Sequence, residues 1–203
     1  MTSDLVVGDD GLPRCPWGAS TPDYRTYHDT EWGRPVRGDV PLFERITLEA
    51  FQSGLSWLTI LRKREAFRAA FEGFDPHAVA AYGMADRDRL LADAGIVRNR
   101  AKVDATITNA RALVALLDAE GDGALDRLVW SHVPTAPRRR PRTHAELPAQ
   151  TPESRDLASA LKGRGFVFVG PTTMYAAMQA TGLVDDHLAG CTAIAVGSPP
   201  PAS

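Results

Sequence analysis

The amino-acid sequence predicts an all-α fold, and three observations support this prediction. Apolar residues recur at helical spacing over several long stretches, and residues that start or stop helices flank these stretches. The alternation of apolar and polar residues that marks β-strands is nearly absent. With 44% hydrophobic and 24% charged residues among 203, the composition is that of an ordinary globular protein. Together these features predict one domain of roughly eight to ten helices.

Three apolar stripes mark predicted helices, and their members are Leu42, Phe43, Ile46 and Ala50; Leu58, Leu61, Phe67 and Phe71; and Val103, Ile107, Ala110, Val114 and Leu117. Asp39 precedes the first stripe and Gly73 follows the second, as expected for a helix start and a helix end. Asp75-Pro76 and Thr151-Pro152 each join a capping residue to a proline, a pair that favours helix starts. The strand candidate Phe166-Val167-Phe168-Val169 is interpreted as a buried connection between helices.

The predicted domain spans residues 13–191. Residues 1–12 and 192–203 contain Gly, Pro or Ser without periodicity, so both segments are expected to be loose tails. No stretch approaches the ~18 consecutive apolar residues of a membrane helix, and the acidic start of the chain does not resemble an export signal. We therefore expect a cytoplasmic protein without a membrane partner.

The charge balance excludes a protein that coats nucleic acid through overall positive charge, because 23 Lys and Arg face 25 Asp and Glu. Positive charge is nevertheless gathered in two places, and local clusters can still bind DNA. One cluster contains Arg98, Arg100 and Lys102, and the other is the run at residues 138–142. We interpret the second cluster, in its Pro-rich context, as a solvated loop and leave a DNA contact from it open.

Both cysteines lie near the ends of the predicted domain, each with a histidine in the same region: Cys15 with His28, and Cys191 with His187. His187 and Cys191 are spaced i and i+4, so on a helical turn their donor atoms would point to one place. Taken singly, each cysteine is better explained as a small buried hydrophobe than as a metal ligand. Taken together, the four residues form a closed Cys₂His₂ set that suits structural zinc. Such an ion would pin the amino-terminal segment onto a carboxyl-terminal helix.

Aromatic residues are concentrated in the amino-terminal region, and they are Trp17, Tyr24, Tyr27, Trp32 and, further on, Trp57. They form either a satellite core or a slot for a flat ligand. Glu49 lies in the first apolar stripe, so a partly buried carboxylate is expected there, and a buried charge needs a partner or a ligand. A carboxylate among aromatic rings would accept a flat cationic or amino-bearing heterocycle, such as a methylated purine.

A helix-hairpin-helix motif is predicted over about residues 86–117. Gly95 marks the turn, and Arg98, Arg100 and Lys102 lie at the opening of the second helix. Such a hairpin offers backbone N–H groups and a helix amino terminus to a DNA phosphate without reading bases. An ordinary helical hairpin with a glycine turn fits the same residues.

Several longer motifs occur in one order between about residues 14 and 191, namely RCPWG, YHDTEWG, PLFERITLEAFQSGLSW, DAGIVRNRAKVDATITNA, RGFVFVGPTTMYAAMQATGLV and DDHLAGC. In this order they resemble the DNA-3-methyladenine glycosylase I family of bacteria. The resemblance implies a helix-hairpin-helix glycosylase fold, a structural zinc ion and hydrolytic release of 3-methyladenine from alkylated double-stranded DNA.

The resemblance also implies roles for individual residues. Zinc would be bound by Cys15, His28, His187 and Cys191, and the base would be read by Glu49 in a pocket with Tyr27, Trp57, Trp17 and Tyr24. Gly54 and Leu55 match the turn that wedges into the duplex where the lesion has left. Ala50 stands where the family usually has glycine, which exchanges one small residue for another.

The implied reaction requires the damaged base to be flipped out of the duplex before it is cut. N3-alkylation places positive charge on adenine and weakens its glycosidic bond, so neither a general base nor a Schiff-base lysine is predicted, and the enzyme is expected not to nick the strand. A non-enzymatic, zinc-stapled DNA-binding module is the alternative, but it has no need for Glu49. A zinc hydrolase would require an open coordination position, which a full Cys₂His₂ set denies. We expect a monomer without an obligate protein partner.

Overall fold

The computed structural model describes residues 4–136 and 138–193, and this part of the chain is mostly helical, as predicted. Its nine α-helices are α1 (Pro22–Thr30), α2 (Asp39–Gln52), α3 (Trp57–Ala70), α4 (Pro76–Ala80), α5 (Met84–Ala92), α6 (Arg100–Glu120), α7 (Ala124–Trp130), α8 (Pro152–Gly163) and α9 (Pro171–Ala180). Short 3-10 helices lie at Pro16–Ala19, Glu72–Phe74 and His144–Glu146. Over the described residues, none of the helices combines the length and the apolar character that a membrane span requires.

Two short strands depart from the all-α prediction. β1 (Val6–Val7) pairs antiparallel with β2 (Pro13–Arg14), so the predicted amino-terminal tail, residues 1–12, supplies one strand of a small hairpin whose other strand begins the predicted domain. Most of the predicted carboxyl-terminal tail, from residue 194 on, lies outside the described residues.

Internal contacts divide the chain into two compact units. As far as their residues are described, unit 1 comprises Met1–Val36, Val133–Ala149 and Met178–Ser203, and unit 2 comprises Arg37–His132 and Gln150–Ala177. All the predicted metal ligands belong to unit 1, whereas Glu49 and the predicted DNA-contact residues belong to unit 2.

The long helix α6 is central to unit 2, because α2, α4, α5 and α7 all pack against it. The predicted helix starts are confirmed by their caps: the Asp75 side chain accepts hydrogen bonds from two amides of α4, and Thr151 caps α8. Four phenylalanine rings, those of Phe51, Phe67, Phe71 and Phe74, pack in series with successive centroid distances of 4.7, 6.3 and 5.6 Å. This apolar core fixes α2, the helix that carries Glu49.

A reciprocal pair of aspartates fixes the amino-terminal end of α2. Asp39 accepts hydrogen bonds from the amides of Gly123 (2.6 Å) and Asp126 (3.0 Å) at the start of α7. Asp126 in turn accepts one from the amide of Gly38 (2.7 Å) and pairs with Arg37. Each carboxylate thus satisfies amides that a helix start leaves unpaired, and the two helices are tied together at one end.

The connection between α8 and α9 is only partly buried, unlike the predicted connection. Phe166 and Val169 are buried, but Val167 and Phe168 are 39% and 45% exposed. Asn109, a buried residue of α6, accepts a hydrogen bond from the Val167 amide (2.7 Å) and donates one to its carbonyl (3.0 Å). These two hydrogen bonds fix the backbone of Val167, one of the two exposed residues of the connection.

Candidate functional sites

Four buried residues of unit 1, Cys15, His28, His187 and Cys191, bring their donor atoms within 4.8 Å of one another. Cys15 directly follows β2, and His28 lies in the last turn of α1. Both cysteines are free thiols. We call these four residues the Cys/His cluster.

The distances within the Cys/His cluster suit a tetrahedral metal ion. The Cys191 sulfur lies 3.4 Å from Nε2 of His28 and 3.8 Å from Nδ1 of His187, and the Cys15 sulfur lies 3.9 Å from Nδ1 of His187. Zinc bonds of about 2.3 Å to sulfur and about 2.1 Å to nitrogen would place these atoms about 3.6 Å apart at the tetrahedral angle. The donor set therefore fits zinc and needs only small adjustments to bind it.

The remaining ring nitrogens are occupied, which selects the tautomers that metal binding requires. Nδ1 of His28 is 2.8 Å from the Asp29 carboxylate, and Nε2 of His187 is 3.2 Å from the Trp32 carbonyl. When each of these nitrogens donates its proton, the nitrogen that faces the sulfur atoms carries a lone pair. Ligating histidines in metal sites are oriented in this way.

A buried arginine supports the amino-terminal half of the cluster. Arg14 donates to both oxygens of Asp29, at 2.8 to 3.0 Å, and also pairs with Asp10 at 2.6 Å. These contacts fix the carboxylate that orients His28. The hydrogen bonds with Asp10 and Asp29 raise the pKa of Arg14, so the guanidinium stays charged despite burial.

The two thiols differ in their readiness to lose a proton. The hydrogen bond with Cys191, together with burial, raises the pKa of Cys15, whereas the bond from Cys15 and those from the two histidines lower the pKa of Cys191. A divalent cation that binds here would ligate both sulfur atoms as thiolates, with release of any proton that they carry.

The predicted pocket aromatics of unit 1 gather around Trp17. Its ring is 5.5 Å from that of Tyr24, 6.3 Å from that of Tyr27 and 5.0 Å from that of His28, measured between centroids. Trp17 also packs against the apolar neighbours of the two cysteines. Trp17 therefore packs against the Cys/His cluster as well as against Tyr27. The sequence predicted only a pocket role for Trp17 and not the contact with the cluster.

Glu49 is a buried carboxylate on α2 and is only 5% exposed. Among the described residues no hydrogen bond reaches it, and burial raises its pKa to about 7 although the nearby charge of Arg45 opposes the change. Arg45 lies one helical turn before Glu49, and its guanidinium carbon is 5.8 Å from the centroid of the Trp57 ring. The partly buried carboxylate that the sequence predicts is therefore present and even more enclosed than expected.

Glu49 lines a cleft of unit 2 with a volume of about 260 Å³. We call it the Glu49 cleft, and its other lining residues are Gln52, Ser53, Gly54, Leu55, Thr172, Thr173 and Ala176. The turn after α2 forms one rim, where Gly54 has a φ of 80°, a conformation that other residues adopt with strain. Leu55 follows and is 42% exposed at this rim.

The basic residues predicted to contact DNA are placed in two different ways. Arg98 and Arg100 are exposed before and at the start of α6, as predicted. The structure corrects the prediction for Lys102, which was expected to face a DNA phosphate. Lys102 is buried, and its ammonium donates to the carbonyls of Phe51 (2.7 Å) and Ser53 (2.6 Å). Two of its three N–H donors thus hold the end of α2, a structural role that the sequence did not predict.

The predicted hairpin at residues 86–117 corresponds to α5, a turn and α6. The Gly95 amide, which was expected to face a phosphate, already donates to the Asp93 carboxylate at 2.7 Å. The carbonyls of Ala94 and Gly95 accept hydrogen bonds from Lys63. Asp93 of the turn and Lys63 of α3 therefore already occupy these backbone groups, which corrects the role expected for the Gly95 amide.

Comparison with known proteins gives concordant results. The chain matches the family model of methyladenine glycosylase over residues 17–194. It is 48% identical to DNA-3-methyladenine glycosylase 1 of Escherichia coli over 181 residues, which cover 89% of this chain and 96% of that protein. A crystal structure of a 3-methyladenine DNA glycosylase I matches with a TM-score of 0.83 and 47% identity, covering 88% and 98% of the two chains. A structure that describes 3-methyladenine recognition by the Staphylococcus aureus enzyme matches with a TM-score of 0.81 and 35% identity, covering 89% and 95%.

Proposed function

The chain belongs to the methyladenine glycosylase family, and on that premise we propose that it hydrolyses the N-glycosidic bond of 3-methyladenine in alkylated double-stranded DNA. The observation that carries this proposal is Glu49, a buried carboxylate that lines a cleft and accepts no hydrogen bond from the described residues. A buried carboxylate without a partner is costly, and a site that keeps one is suited to a ligand that supplies hydrogen-bond donors or positive charge.

In this mechanism, the damaged nucleotide leaves the base stack and its adenine edge donates hydrogen bonds to Glu49. The positive charge of the alkylated base favours the ionised carboxylate, which burial alone disfavours around neutral pH. Because the charged base is already a good leaving group, catalysis comes from positioning and electrostatics, without a general base. An unmodified adenine has neither the charge nor the weakened bond, so it is cut slowly.

Tyr27 and Trp57 are the proposed stacking and hydrogen-bonding residues for the base, with Trp17 and Tyr24 as further aromatic neighbours. Both Tyr27 and Trp57 are buried aromatic side chains, a residue type whose flat ring can stack on a base. Leu55 is the proposed wedge that fills the gap in the duplex, since it is apolar and exposed directly after the strained turn at Gly54. An exposed apolar side chain directly after a glycine turn suits insertion between bases.

Phosphate contacts are assigned to Arg98, Arg100 and the start of α9. The amides of Thr172 and Thr173 lie in the first helical turn, where α-helical amides have no partner within the helix, and both residues line the Glu49 cleft. In this proposal the start of α9 takes the phosphate-binding role that was expected at Gly95. A small number of basic contacts implies a modest dependence of binding on salt.

The Cys/His cluster is the proposed site of a structural zinc ion held by Cys15, His28, His187 and Cys191. All four coordination positions would be filled by protein atoms, so the ion would stabilise unit 1 and take no part in the chemistry. This closed set is the reason for preferring a metal-independent reaction to a zinc hydrolase.

The test is release of free bases from N-methylated duplex DNA, resolved by chromatography, for the parent protein, Glu49→Gln and Glu65→Gln. Glu65 is an exposed glutamate on α3 and serves as the matched control. We expect 3-methyladenine from the parent and the control, 7-methylguanine left in the DNA, and a loss of about 100-fold or more in Glu49→Gln. Release at equal rates by all three proteins would remove Glu49 from its role. Binding of DNA without release of any base by the folded parent would favour a non-enzymatic DNA-binding module.

A further inference from the structure

The carboxyl-terminal ligands of the Cys/His cluster lie on a segment without helix or strand. Helix α9 ends at Ala180, and residues 181–193 form only turns, bends and extended backbone. The spacing of His187 and Cys191 therefore does not reflect a helical turn, which corrects the sequence prediction. Their convergence must instead be maintained by contacts from another part of unit 1, because an irregular segment has many other conformations.

The contacts come from residues 138–142, which we call the arginine loop. The sequence predicts a solvated loop here, and Arg138, Arg139 and Arg142 are indeed exposed. Arg140 differs, because its side chain is only 23% exposed. Its guanidinium donates through Nη1 to the carbonyl of Cys191 at 3.1 Å and through Nη2 to the carbonyl of Ala193 at 3.0 Å.

A carboxylate extends this contact to the second ligand. Nε of Arg140 donates to Oδ2 of Asp185 at 2.8 Å, and Oδ1 of the same carboxylate accepts a hydrogen bond from the amide of His187 at 3.2 Å. The carbonyl of Pro141 also accepts a hydrogen bond from the amide of Ala189, between the two ligands, at 2.8 Å. Backbone groups at both ligands are thus tied, directly or through Asp185, to one guanidinium.

We propose that Arg140 is a positioning residue of the metal site, which together with Asp185 holds His187 and Cys191 in ligating geometry. The inference rests on the proposed structural zinc ion. A guanidinium is planar and carries several donors in a fixed fork, so it can bridge three acceptors that a flexible ammonium cannot span together. An ordered segment loses less entropy when the metal binds, and such outer contacts commonly change metal affinity by about 10- to 100-fold.

The experiment measures the rate at which zinc passes from the loaded full-length protein to a chromogenic chelator. The variants are Arg140→Ala, Arg140→Lys and the matched control Arg139→Ala, whose side chain is exposed on the same loop. We expect zinc release about 10-fold faster or more from Arg140→Ala, an intermediate rate from Arg140→Lys, and the parental rate from Arg139→Ala. The melting temperature of each protein, with zinc and after its removal, is recorded in parallel.

A merely structural role for Arg140 predicts a different pattern. It would lower the melting temperature of the zinc-loaded and zinc-free forms equally and leave the rate of zinc release unchanged, and that result would overturn the inference. If Arg140→Ala does not fold, Arg140→Lys carries the test, and a parental release rate in that variant overturns the inference equally. A parent that binds no zinc would instead refute the proposed zinc site, and with it the role of Arg140, while leaving the base-release assay to judge the proposed activity.

Discussion

The Cys/His cluster and the Glu49 cleft each contain buried polar groups. Among the described residues, these groups have polar neighbours in the cluster, whereas in the cleft the carboxylate has no hydrogen-bond donor. In the cluster, each ring nitrogen and each sulfur has a neighbour that can share a proton or a metal with it. In the cleft, the carboxylate of Glu49 accepts no hydrogen bond from the described residues, and its pKa is raised. On the proposed functions, the contrast separates a closed site, which an ion would complete, from an open site, which a substrate would complete.

The largest expected effect comes from opening the closed site. Removal of zinc, or the substitution Cys191→Ala, should lower the free energy of unfolding by at least ~4 kcal/mol, because four buried ligands would lose their common partner. Thermal unfolding with parallel metal analysis measures this, and His77→Ala, at an exposed histidine, is the control. Equal stability of the metal-free and metal-loaded parent would show that the cluster is held by its hydrogen bonds alone.

A smaller and opposite effect is expected at the open site. The folded protein keeps the Glu49 proton up to about pH 7, whereas the unfolded chain loses it above the ordinary value of 4.5, so the carboxyl destabilises the fold increasingly as the pH rises between these values. The total amounts to about 3 kcal/mol. Glu49→Gln should therefore gain stability relative to the parent between pH 5 and pH 8, as measured by urea unfolding.

A stability difference between Glu49→Gln and the parent that is the same at pH 5 and pH 8 would show that folding does not raise the pKa of Glu49, and would contradict this prediction. Addition of a DNA duplex that contains a non-cleavable analogue of the lesion provides the complementary check. The analogue should bind the parent more tightly than the variant, since only the parent offers a carboxylate to the base.

The smallest effects are expected at the basic residues, where the buried Lys102 and the exposed arginines Arg98 and Arg100 should differ. Lys102→Met leaves two carbonyls unpaired and should cost about 2 kcal/mol of stability. The exposed pair Arg98→Gln and Arg100→Gln should leave stability unchanged but weaken binding to any duplex, and it should lower the slope of log affinity against log salt by about 2. A change in lesion preference in the arginine variant would place these residues in the base pocket.

How much of these sites the sequence could predict depends on the distance over which each contact is made. The four members of the Cys/His cluster and the burial of Glu49 were predictable, because residue type and family motifs single them out. The carboxylate beside His28 was also within reach, since Asp29 is its direct neighbour and Arg14 directly precedes Cys15. Adjacency makes this contact possible, but it does not determine that the Asp29 carboxylate turns toward the ring.

Long-range contacts account for the predictions that were wrong. Lys102 is 51 residues from Phe51 along the chain, and Arg140 is 51 residues from Cys191. In the sequence both are positive charges in basic runs, which usually indicate solvated surface or phosphate contacts. Only the folded backbone reveals that each meets a set of carbonyls at the end of another segment. The spacing of His187 and Cys191 was also misleading, because a separation of i and i+4 is compatible with a helix but does not require one.

The placement of the two cysteines has a practical consequence for labelling. The chain contains two cysteines, and both are buried in the Cys/His cluster. With zinc bound, neither thiolate would be available to an alkylating dye, so the substitution Leu55→Cys would create a single reactive thiol at the exposed rim of the cleft. A fluorophore attached there would report each encounter of the rim with a duplex, without prior removal of any native cysteine.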